Sequence, residues 1–415
     1  MNIPQEHKLS VRLFGKHLGI LEQTQKGKLH FSYHDEASNP LSLFMPLKEK
    51  SFDHNHCYPY FAGLAPQGEK SLPLLSRILG VNQNDTFSLL KMMGKDCQGA
   101  VTFHQLDEPE EERHTTPLKG EMISDKALEK QIQTLPEAPL FFNNEKIHVS
   151  LSGTQYKAAV CLIDNKVAIP EMDCFSTHIL KPALAPFEEK MMNEYFCMRL
   201  GNKMGINMVE VTLHKGLKTD YLLITRFDRE IQQNKIKHFH QEDFCQALGY
   251  LPSAKYQKDR GPGFKSCFNL LQKTNIPAVD RNRMMQLIIY NFLIGNKDAH
   301  AKKFAIKYLN HKQFELAPFY DVCASLEANV KEMAMKLGGI YTHDEIKVSH
   351  WHDFCSKRGF SYLAFKEMFS KQCEIIIDTA KQERANIKEA GFDCAIVDMI
   401  ISVIQKNCKL VGEMF

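Results

Sequence analysis

The chain has 415 residues, which is more than one compact core usually holds, so two or three domains are expected. Apolar residues make up 44% and charged residues 24%, a balance that excludes a disordered chain and indicates a folded globular protein. The net charge of +3 is too small to predict nucleic-acid binding from bulk charge, although a local basic patch stays open.

Neither a leader nor a membrane span is indicated. The opening sequence MNIPQEHKLSVRLFGK is polar and charged where a signal peptide needs an apolar core. The densest apolar stretch, residues 284–294, is too short to span a bilayer. Twelve cysteines are scattered singly without a C-x-x-C pair, which argues against zinc-ribbon and thioredoxin chemistry. We therefore expect a cytoplasmic protein with reduced thiols and no membrane role.

The first hundred residues predict a small α+β unit. Its expected elements are strands at 11–14, 29–33 and 41–44, helices at 71–79 and 86–93, and a closing strand at 99–103. The acidic run DEPEEER at 107–113, followed by Thr-Thr-Pro, is the best linker candidate, and a solvated loop inside one domain is the alternative.

The remainder predicts a β-rich lobe followed by an α-rich lobe, an α+β plan. The expected strands lie at 148–151, 158–163, 177–180, 209–213 and 221–227, around a helix at 187–204. Long helices are expected at 241–249, 280–295, 361–380 and 393–409.

Two weak motifs fall in the β-rich part. A turn rich in small and hydroxyl residues, 150–157, would let backbone N–H groups approach a phosphate, although an ordinary hairpin turn has the same composition. Lys181 ends a strand, where a lysine can pair with nucleotide phosphates, and Glu194 on the next helix could hold it. Most lysines at strand ends are simply solvated, so neither motif is specific alone.

Two stronger motifs follow in the α-rich part. The loop Gly-Asn-Lys-Asp-Ala-His-Ala-Lys-Lys directly after the apolar helix crowds polar residues where desolvation is costly unless they are paired or used. There Asp298 could orient and deprotonate a hydroxyl, and Lys302 could screen phosphate charge; a capped loop with a salt bridge is the alternative. Asp321, on an apolar turn, suits Mg²⁺. The order of these parts is that of a kinase-like phosphotransferase.

Several motifs together resemble the HipA family of serine/threonine kinases, the toxins of type II toxin–antitoxin pairs. The resemblance covers nearly the whole chain. The matching segments are YFAGLAPQG at 60–68, GKDCQGAV at 94–101, SGTQYK at 152–157, HILKP at 178–182, TRFDR at 225–229, QEDFCQ at 241–246, Lys255-Tyr256, the loop at 298–303 and the turn at 318–321. In TRFDR, Thr225 replaces the family's usual glutamate.

The resemblance implies a two-lobed protein-kinase-like fold of the α+β class, with a small N-terminal α+β subdomain, a β-rich N-lobe and an all-α C-lobe. The expected segments are a HipA-like N-terminal subdomain at 1–105, an acidic linker and helix at 106–145, a nucleotide-binding lobe at 146–228, and a helical lobe with the catalytic and metal-binding loops at 229–415.

The resemblance also implies roles for individual residues, with ATP and Mg²⁺ as cofactors. Asp298 would be the catalytic base, supported by His300 and Lys302, and Asp321 would bind Mg²⁺. Ser150, with Ser152, would be a site of autophosphorylation that switches the kinase off. The expected nucleotide contacts are Ser152, Gly153, Thr154, Gln155, Tyr156, Lys157, Lys181, Thr225, Arg226, Phe227 and Lys303.

One departure from the family concerns the metal. The family's catalytic loop resembles D-x-H-x-K-N, with the final Asn as a metal ligand, and here Lys303 stands in that place. A protonated lysine has no lone pair to give to Mg²⁺, so either the enzyme works with altered metal use, or its ATP chemistry is weakened or lost. We favour retained kinase activity, because Lys181, Asp298 and Asp321 are all present.

The implied substrate is a translation component such as an aminoacyl-tRNA synthetase, and the implied partner is a helix-turn-helix antitoxin through which the complex contacts DNA. A pseudokinase or co-repressor that binds antitoxin and nucleotide without catalysis is the alternative. A kinase exported to act on a host protein is a third possibility on which the sequence carries no signal.

Overall fold

The computed structural model describes residues 3–68, 71–111, 114–137, 155–171 and 174–414. Its helices are α1 (His54–Leu64), α2 (Ser71–Leu79), α3 (Thr86–Met93), α4 (Asp125–Thr134), α5 (Glu188–Lys203), α6 (Phe244–Leu248), α7 (Phe264–Leu271), α8 (Pro277–Leu293), α9 (Val348–Arg358), α10 (Tyr362–Glu389) and α11 (Ala395–Met414). Its strands are β1 (Lys8–Leu13), β2 (Lys16–Gln23), β3 (Leu29–Tyr33), β4 (Ser51–Phe52), β5 (Val101–His104), β6 (Thr115–Pro117), β7 (Gly120–Met122), β8 (Ala158–Ile163), β9 (Lys166–Pro170), β10 (His178–Pro182), β11 (Val211–His214), β12 (Tyr221–Thr225), β13 (Arg229–Gln232), β14 (Lys235–His238), β15 (Gln241–Asp243), β16 (Ala305–Tyr308), β17 (Phe314–Leu316), β18 (Glu332–Leu337) and β19 (Ile340–Thr342).

The chain divides into two compact units, each described separately. The first comprises Met1–Phe187, Leu213–Pro252 and Ile306–Phe314, and the second comprises Glu188–Thr212, Ser253–Ala305 and Glu315–Phe415. The mixture of helices and sheets confirms the α+β class. The division of the chain into four segments at 105, 145 and 228 stays a prediction.

The N-terminal part of the first unit is an antiparallel sheet with the strand order β4-β3-β2-β1-β5. In β3 the side chains alternate, with Leu29, Phe31 and Tyr33 buried and the residues between them half-buried. Because successive side chains of a strand point to opposite faces, this alternation gives the sheet one core face. Asp53 caps α1 by accepting a hydrogen bond from the backbone N–H of His56, so that helix begins where the chain leaves β4.

A second sheet carries the strand expected to contact nucleotide. Its order is β11-β12-β10-β8-β9-β7, and β10 pairs antiparallel with both β8 and β12. This pairing places Lys181 of β10 opposite Leu222. Leu128 of α4, Val160 and Leu180 belong to one buried cluster, so α4 helps to fix the strand that bears Lys181.

In the second unit, a buried aromatic cluster holds α8, α9 and α10 together. Trp351 is fully buried, and its ring centroid lies 5.4 Å from that of Phe292, 5.0 Å from Phe365 and 5.3 Å from Phe369. Such edge-to-face and offset contacts add about 0.5–1.5 kcal/mol per pair beyond the area they bury. The cluster anchors the C-terminal half of α8, from which the catalytic-loop candidate emerges.

The acidic run proposed as a linker is bound to the first unit. Arg12 donates from Nη1 to the backbone oxygen of Pro109, at 2.6 Å, and from Nη2 to that of Glu108, at 2.5 Å. The side chain of Glu108 forms an ion pair with Lys95 and lies 2.8 Å from Nδ1 of His104. These contacts favour the second interpretation of residues 107–113, a loop that packs on the first unit, over a linker between domains.

Several predicted elements are confirmed at the expected bounds, namely β3, β8, α2 and α3. Residues 41–44 form no strand; Ser42 makes only an isolated bridge to Met45, and the N–H of Leu41 donates to the hydroxyl of Tyr33 instead. The helix expected at 241–249 is β15 followed by α6. The segment expected to be entirely helical, 229–415, also contains β13 to β19.

Within the described ranges, no helix is long and apolar enough to cross a membrane.

Candidate active site

The loop after α8 is shaped by an asparagine. Gly295 has a φ of +69°, a left-handed conformation that favours glycine and ends the helix. The N–H of Asn296 donates to the backbone oxygen of Asn291 at 2.8 Å, and its amide Nδ2 to Oδ1 of the same residue at 3.0 Å. Oδ1 of Asn296 then accepts the N–H of Asp298 at 3.0 Å. These bonds fix the direction in which the Asp298 side chain leaves the loop.

Both carboxylate oxygens of Asp298 have a partner. The hydroxyl of Tyr256 donates to Oδ1 at 2.7 Å, and Nζ of Lys303 lies 3.2 Å from Oδ2. The side chain nevertheless remains 48% exposed, so a reacting hydroxyl can reach it. Burial raises the pKa of Asp298, but the charge of Lys303 and the Tyr256 hydrogen bond outweigh it, and the pKa lies below its usual value. Asp298 is therefore an oriented, ionised carboxylate.

Asp321 lies beside the same lysine. Nζ of Lys303 is 3.5 Å from Oδ2 of Asp321 and donates to its backbone oxygen at 2.9 Å. The φ of Asp321 is +73°, an uncommon conformation outside glycine that aspartate tolerates. The neighbouring Tyr320 donates from its hydroxyl to the backbone oxygen of Lys302 at 3.0 Å, which ties the Asp321 turn to the catalytic-loop candidate.

Lys303 is thus the cation between two carboxylates. Its side chain is only 11% exposed. Burial lowers the pKa of Lys303, but the nearby charges of Asp321 and Asp298 outweigh it and raise the pKa above its usual value. The ammonium stays protonated throughout the physiological range.

A small group of possible metal ligands also includes Asp321. Within the described part of the chain, one ligand atom each from Glu194, Asp321 and Cys323 lies within 4.8 Å of the others. Burial raises the pKa of the Cys323 thiol well above its usual value, so the thiol stays protonated. The carboxylates of Glu194 and Asp321 are the hard oxygen donors that Mg²⁺ prefers, so they fit one such ion. Lys303, where the family has its Asn ligand, does not fit a second.

The two supporting residues belong to a short 3₁₀ turn, Ala301–Lys303: His300 directly precedes it and Lys302 lies within it. His300 is buried, and its ring stands perpendicular to that of Tyr256 with the centroids 5.1 Å apart. Burial and the charge of Lys303 lower the pKa of His300 to about 3, so the imidazole is neutral. Its Nδ1 is buried and has no hydrogen-bond partner among the described residues. Lys302 is half-buried.

Apart from Lys303, which lies in the second unit, the nucleotide-contact candidates belong to the first unit or fall outside the described residues. Ser150, Ser152, Gly153 and Thr154 lie outside them, while Gln155, Tyr156 and Lys157 directly precede β8. The ring of Tyr156 stands edge-on to Phe187 with the centroids 5.3 Å apart. Each of these assignments stays a prediction.

Thr225 ends β12 opposite His178 of β10. Its hydroxyl oxygen lies 3.3 Å from Nε2 of His178, and the hydroxyl of Thr177 lies 2.8 Å from Nδ1. Burial lowers the pKa of His178 to about 4, so this ring is neutral. Thr225 therefore presents a hydroxyl, held by a neutral imidazole, where the family has a charged glutamate. Phe227 is half-buried two residues further on.

Arg226 occupies a buried network of charges. Its Nε and Nη2 donate to the two carboxylate oxygens of Asp228 at 3.1 and 2.9 Å, and its Nη1 donates to Asp96 at 3.2 Å. Arg229 bridges the same two aspartates, at 3.0 Å from Asp96 and 3.1 Å from Asp228. The guanidinium of Arg226 is committed to these partners, so its side chain is structural; any nucleotide contact would be through its backbone.

Sequence reasoning missed two side chains that lie beside the candidate carboxylates, Tyr256 beside Asp298 and Cys323 beside Asp321. Tyr256 stands 42 residues before Asp298, a separation that carries no spacing signal. Its one cue was the Lys255-Tyr256 pair within a family-like motif, which gave no role. Cys323, two residues after Asp321, looked like one more isolated thiol.

Comparison with known proteins identifies the family of the chain. The model of the HipA-like C-terminal domain matches residues 149–385, and that of the HipA N-terminal domain matches residues 9–104. The fold is that of a solved HipA chain. The chain belongs to the HipA family of kinases.

Two relatives and one solved structure illustrate the similarity. The chain is 30% identical to "Putative kinase Y4mE" of Sinorhizobium fredii, over 97% of this chain and 98% of that protein. It is 28% identical to "Serine/threonine-protein kinase toxin HipA" of Shewanella oneidensis, over 69% of this chain and 67% of that protein. The solved complex of Shewanella oneidensis HipA, HipB and operator DNA contains a chain with a TM-score of 0.82 and 23% identity, covering 98% of this chain and 99% of that one.

Proposed function

We propose that this protein is an ATP-dependent serine/threonine protein kinase of the HipA toxin type. The observation that carries the proposal is Asp298, a half-exposed carboxylate oriented on both oxygens by Tyr256 and Lys303. Its lowered pKa keeps it ionised at neutral pH, as a base must be to accept the proton of a substrate hydroxyl.

The proposed roles follow the residues of each unit. Asp298 accepts the hydroxyl proton, and neutral His300 packs on Tyr256, which orients that base. Asp321, with Glu194, would hold Mg²⁺, which when bound neutralises charge on the transferred phosphate. In the first unit, residues 152–157, Lys181 and Thr225–Phe227 are proposed to contact ATP, on the strength of the family resemblance.

The first experiment tests the base. Asp298→Asn keeps the shape of the side chain and removes its ability to accept a proton, so phosphate transfer from γ-³²P-ATP should fall by about 10²–10⁴-fold. Asp259→Asn, at an exposed position of the same unit, is the matched control and should keep the wild-type rate. An unchanged rate in Asp298→Asn would reject the assigned role.

The proposed substrate is a translation component such as an aminoacyl-tRNA synthetase, and the support is the family resemblance. The test is to incubate extract of the source cells with the protein and γ-¹⁸O-ATP, and to identify heavy phosphate by mass spectrometry. Sites that appear with the wild type and disappear with Asp298→Asn are direct products. Labelling confined to proteins outside translation would contradict this substrate class.

Autophosphorylation at Ser150, with Ser152 as a second site, is proposed as an off switch. A phosphoserine adds about −1.5 to −2 charges where the phosphates of ATP would bind, so it should repel the nucleotide. After incubation with ATP, phosphate should map to Ser150 and nucleotide affinity should fall. Ser150→Ala should stay persistently active, whereas Ser150→Asp should bind ATP poorly. Phosphate at Ser150 with full ATP affinity would reject the switch.

A helix-turn-helix antitoxin is the proposed partner, with DNA contacted through that complex. The support is the family and the structural neighbour, which was solved as a complex of HipA, HipB and operator DNA. Co-purification with the product of the adjacent reading frame, followed by DNA gel shift, tests it. The pair should bind its own promoter, and this protein alone should not.

A pseudokinase or co-repressor is the second candidate. It is favoured by one observation, the lysine at the position of the family's metal-binding Asn. Such a protein would bind nucleotide and antitoxin but transfer no phosphate. Nucleotide binding without any phosphate incorporation, in wild type and Asp298→Asn alike, would select it over the kinase.

A further inference from the structure

Lys303 places a fixed positive charge where protein kinases place a metal. Its ammonium nitrogen lies 3.2 Å from Asp298 Oδ2, 3.5 Å from Asp321 Oδ2 and 2.9 Å from the backbone oxygen of Asp321. Three oxygens therefore surround the nitrogen, which matches the three donors of an ammonium group. With the side chain 11% exposed, this cation is held inside the protein and not shared with bulk solvent.

The same place normally belongs to an ion. Protein kinases use two Mg²⁺ ions, held by an aspartate of the Asp321 type and by the asparagine of the catalytic loop. An asparagine offers a lone pair from its amide oxygen, whereas a protonated lysine offers none and repels a divalent cation. The residues around Asp298 and Asp321 in this chain therefore do not fit a second metal ion.

The remaining donors fit one ion. Glu194 and Asp321 each offer a carboxylate ligand atom, and these two atoms lie within 4.8 Å of one another. Both carboxylates are hard oxygen ligands suited to Mg²⁺. With Lys303 in place of the asparagine, the chain lacks a ligand for one metal ion, whereas Glu194 and Asp321 can still bind the other.

We propose that the ammonium of Lys303 is a built-in cation that replaces one of the two metal ions of protein kinases, so that this chain uses ATP with a single divalent ion. This inference rests on the proposed kinase function. The Lys303 ammonium is covalently attached and cannot dissociate. One of the two positive charges that a kinase places beside the nucleotide phosphates is therefore present at any concentration of divalent ion.

Counting bound Mn²⁺ tests the proposal without relying on activity. The full-length protein, in excess over a non-hydrolysable ATP analogue, is titrated with Mn²⁺, and free Mn²⁺ is measured by electron paramagnetic resonance. The wild type should bind one Mn²⁺ per nucleotide. Lys303→Asn restores an oxygen donor and should bind two, while Lys303→Arg keeps the cation and should bind one.

The control and the contrary outcomes are distinct. Lys265→Asn, at an exposed position of α7, makes the same change away from the site and should bind one Mn²⁺ per nucleotide. Two bound Mn²⁺ ions per nucleotide in the wild type would overturn the inference, because Lys303 would then have moved aside for the second ion. That result would leave the kinase proposal intact. No binding of nucleotide at any Mn²⁺ concentration would overturn the proposed function itself. The wild-type protein alone shows whether one or two Mn²⁺ ions bind per nucleotide, so the result does not depend on the folding of a variant.

Discussion

The hydroxyl of Tyr256 lies 2.7 Å from Oδ1 of Asp298 and donates a hydrogen bond to it. Burial and the charge of Asp298 raise the pKa of Tyr256 above its usual value, so the hydroxyl remains a donor at physiological pH. This bond turns the free lone pairs of the carboxylate in a fixed direction. Tyr256 is therefore a positioning residue for the proposed base.

Removing that hydroxyl should slow phosphate transfer without weakening nucleotide binding. A hydrogen bond to a charged group contributes about 1.5–3 kcal/mol, so Tyr256→Phe should lower kcat by about 10- to 100-fold. Tyr341→Phe, in the same unit, is the control, and steady-state kinetics with isothermal calorimetry separate kcat from affinity. A wild-type kcat in Tyr256→Phe would show that Lys303 alone orients Asp298.

Asp321→Asn should remove most of the metal dependence of ATP binding. The amide keeps the shape of the side chain but loses the charge that attracts Mg²⁺, and the loss of even a supporting contact at a metal site costs about 10- to 100-fold in affinity. Calorimetry with and without Mg²⁺ should show the two affinities converging. Asp353→Asn is the control, because Asp353 in α9 is equally exposed, at 38%. If Mg²⁺ changed the ATP affinity of Asp321→Asn as much as that of the wild type, Asp321 would not be a metal ligand.

The first unit should lose stability as the pH rises from about 4.5 to about 7, because of Glu242. This side chain is buried, and its Oε2 accepts from Ser42 at 2.6 Å while Oε1 accepts from Leu43 N–H at 2.9 Å and from the Tyr308 hydroxyl at 2.5 Å. Burial raises the pKa of Glu242 to about 7, against these hydrogen bonds, which lower it.

The unfolded chain binds no proton at Glu242 above its ordinary pKa near 4.5, whereas the folded chain holds one up to about pH 7. Folding is therefore favoured at low pH, and this contribution is lost between about pH 4.5 and 7, by about 3 kcal/mol in total. Glu242→Gln should flatten this part of the profile in urea denaturation followed by circular dichroism. Glu230→Gln, on the exposed face of β13, should leave the slope as in the wild type.

Asp228→Asn should destabilise the first unit strongly. Asp228 pairs with both Arg226 and Arg229, and all three side chains are at most 3% exposed. Removing one partner of a buried pair leaves an uncompensated charge and costs about 3–5 kcal/mol. Asp220→Asn removes a surface pair with Lys215 at 2.9 Å and should cost about 0–1 kcal/mol in the same denaturation series. Equal losses in the two variants would contradict the buried network.

Local patterns in the sequence predicted the regular elements well. The alternation of Leu29, Phe31 and Tyr33 predicted β3, and the apolar periodicity of residues 86–93 predicted α3. The failures occurred where tertiary contacts override local preference. Gln241, Glu242 and Asp243 have no strand propensity, yet all three are buried in β15, and Asp243 caps α6 with Gln246 in a reciprocal pair of hydrogen bonds.

The candidate site could be predicted only as separate pieces. The spacing around Asp298 and the apolar turn before Asp321 pointed to the two carboxylates, and the family motif identified Lys303 as the departure. The sequence could not show that Lys303 lies between those carboxylates, because that depends on how a turn 18 residues away folds back. The same limit applies to Tyr256.

The buried arginine–aspartate network binds the segment around Asp96 to the segment around Arg229, 133 residues later. Nη2 of Arg226 also donates to the backbone oxygen of Cys97 at 2.8 Å, so the network holds the backbone next to Asp96 as well as its side chain. The network therefore joins these segments without relying on the chain between them, and the acidic run in that chain is itself held to the unit by Arg12 and Lys95. A protease that cuts there yields a nicked protein whose two pieces migrate together on a gel-filtration column and separate only in denaturant.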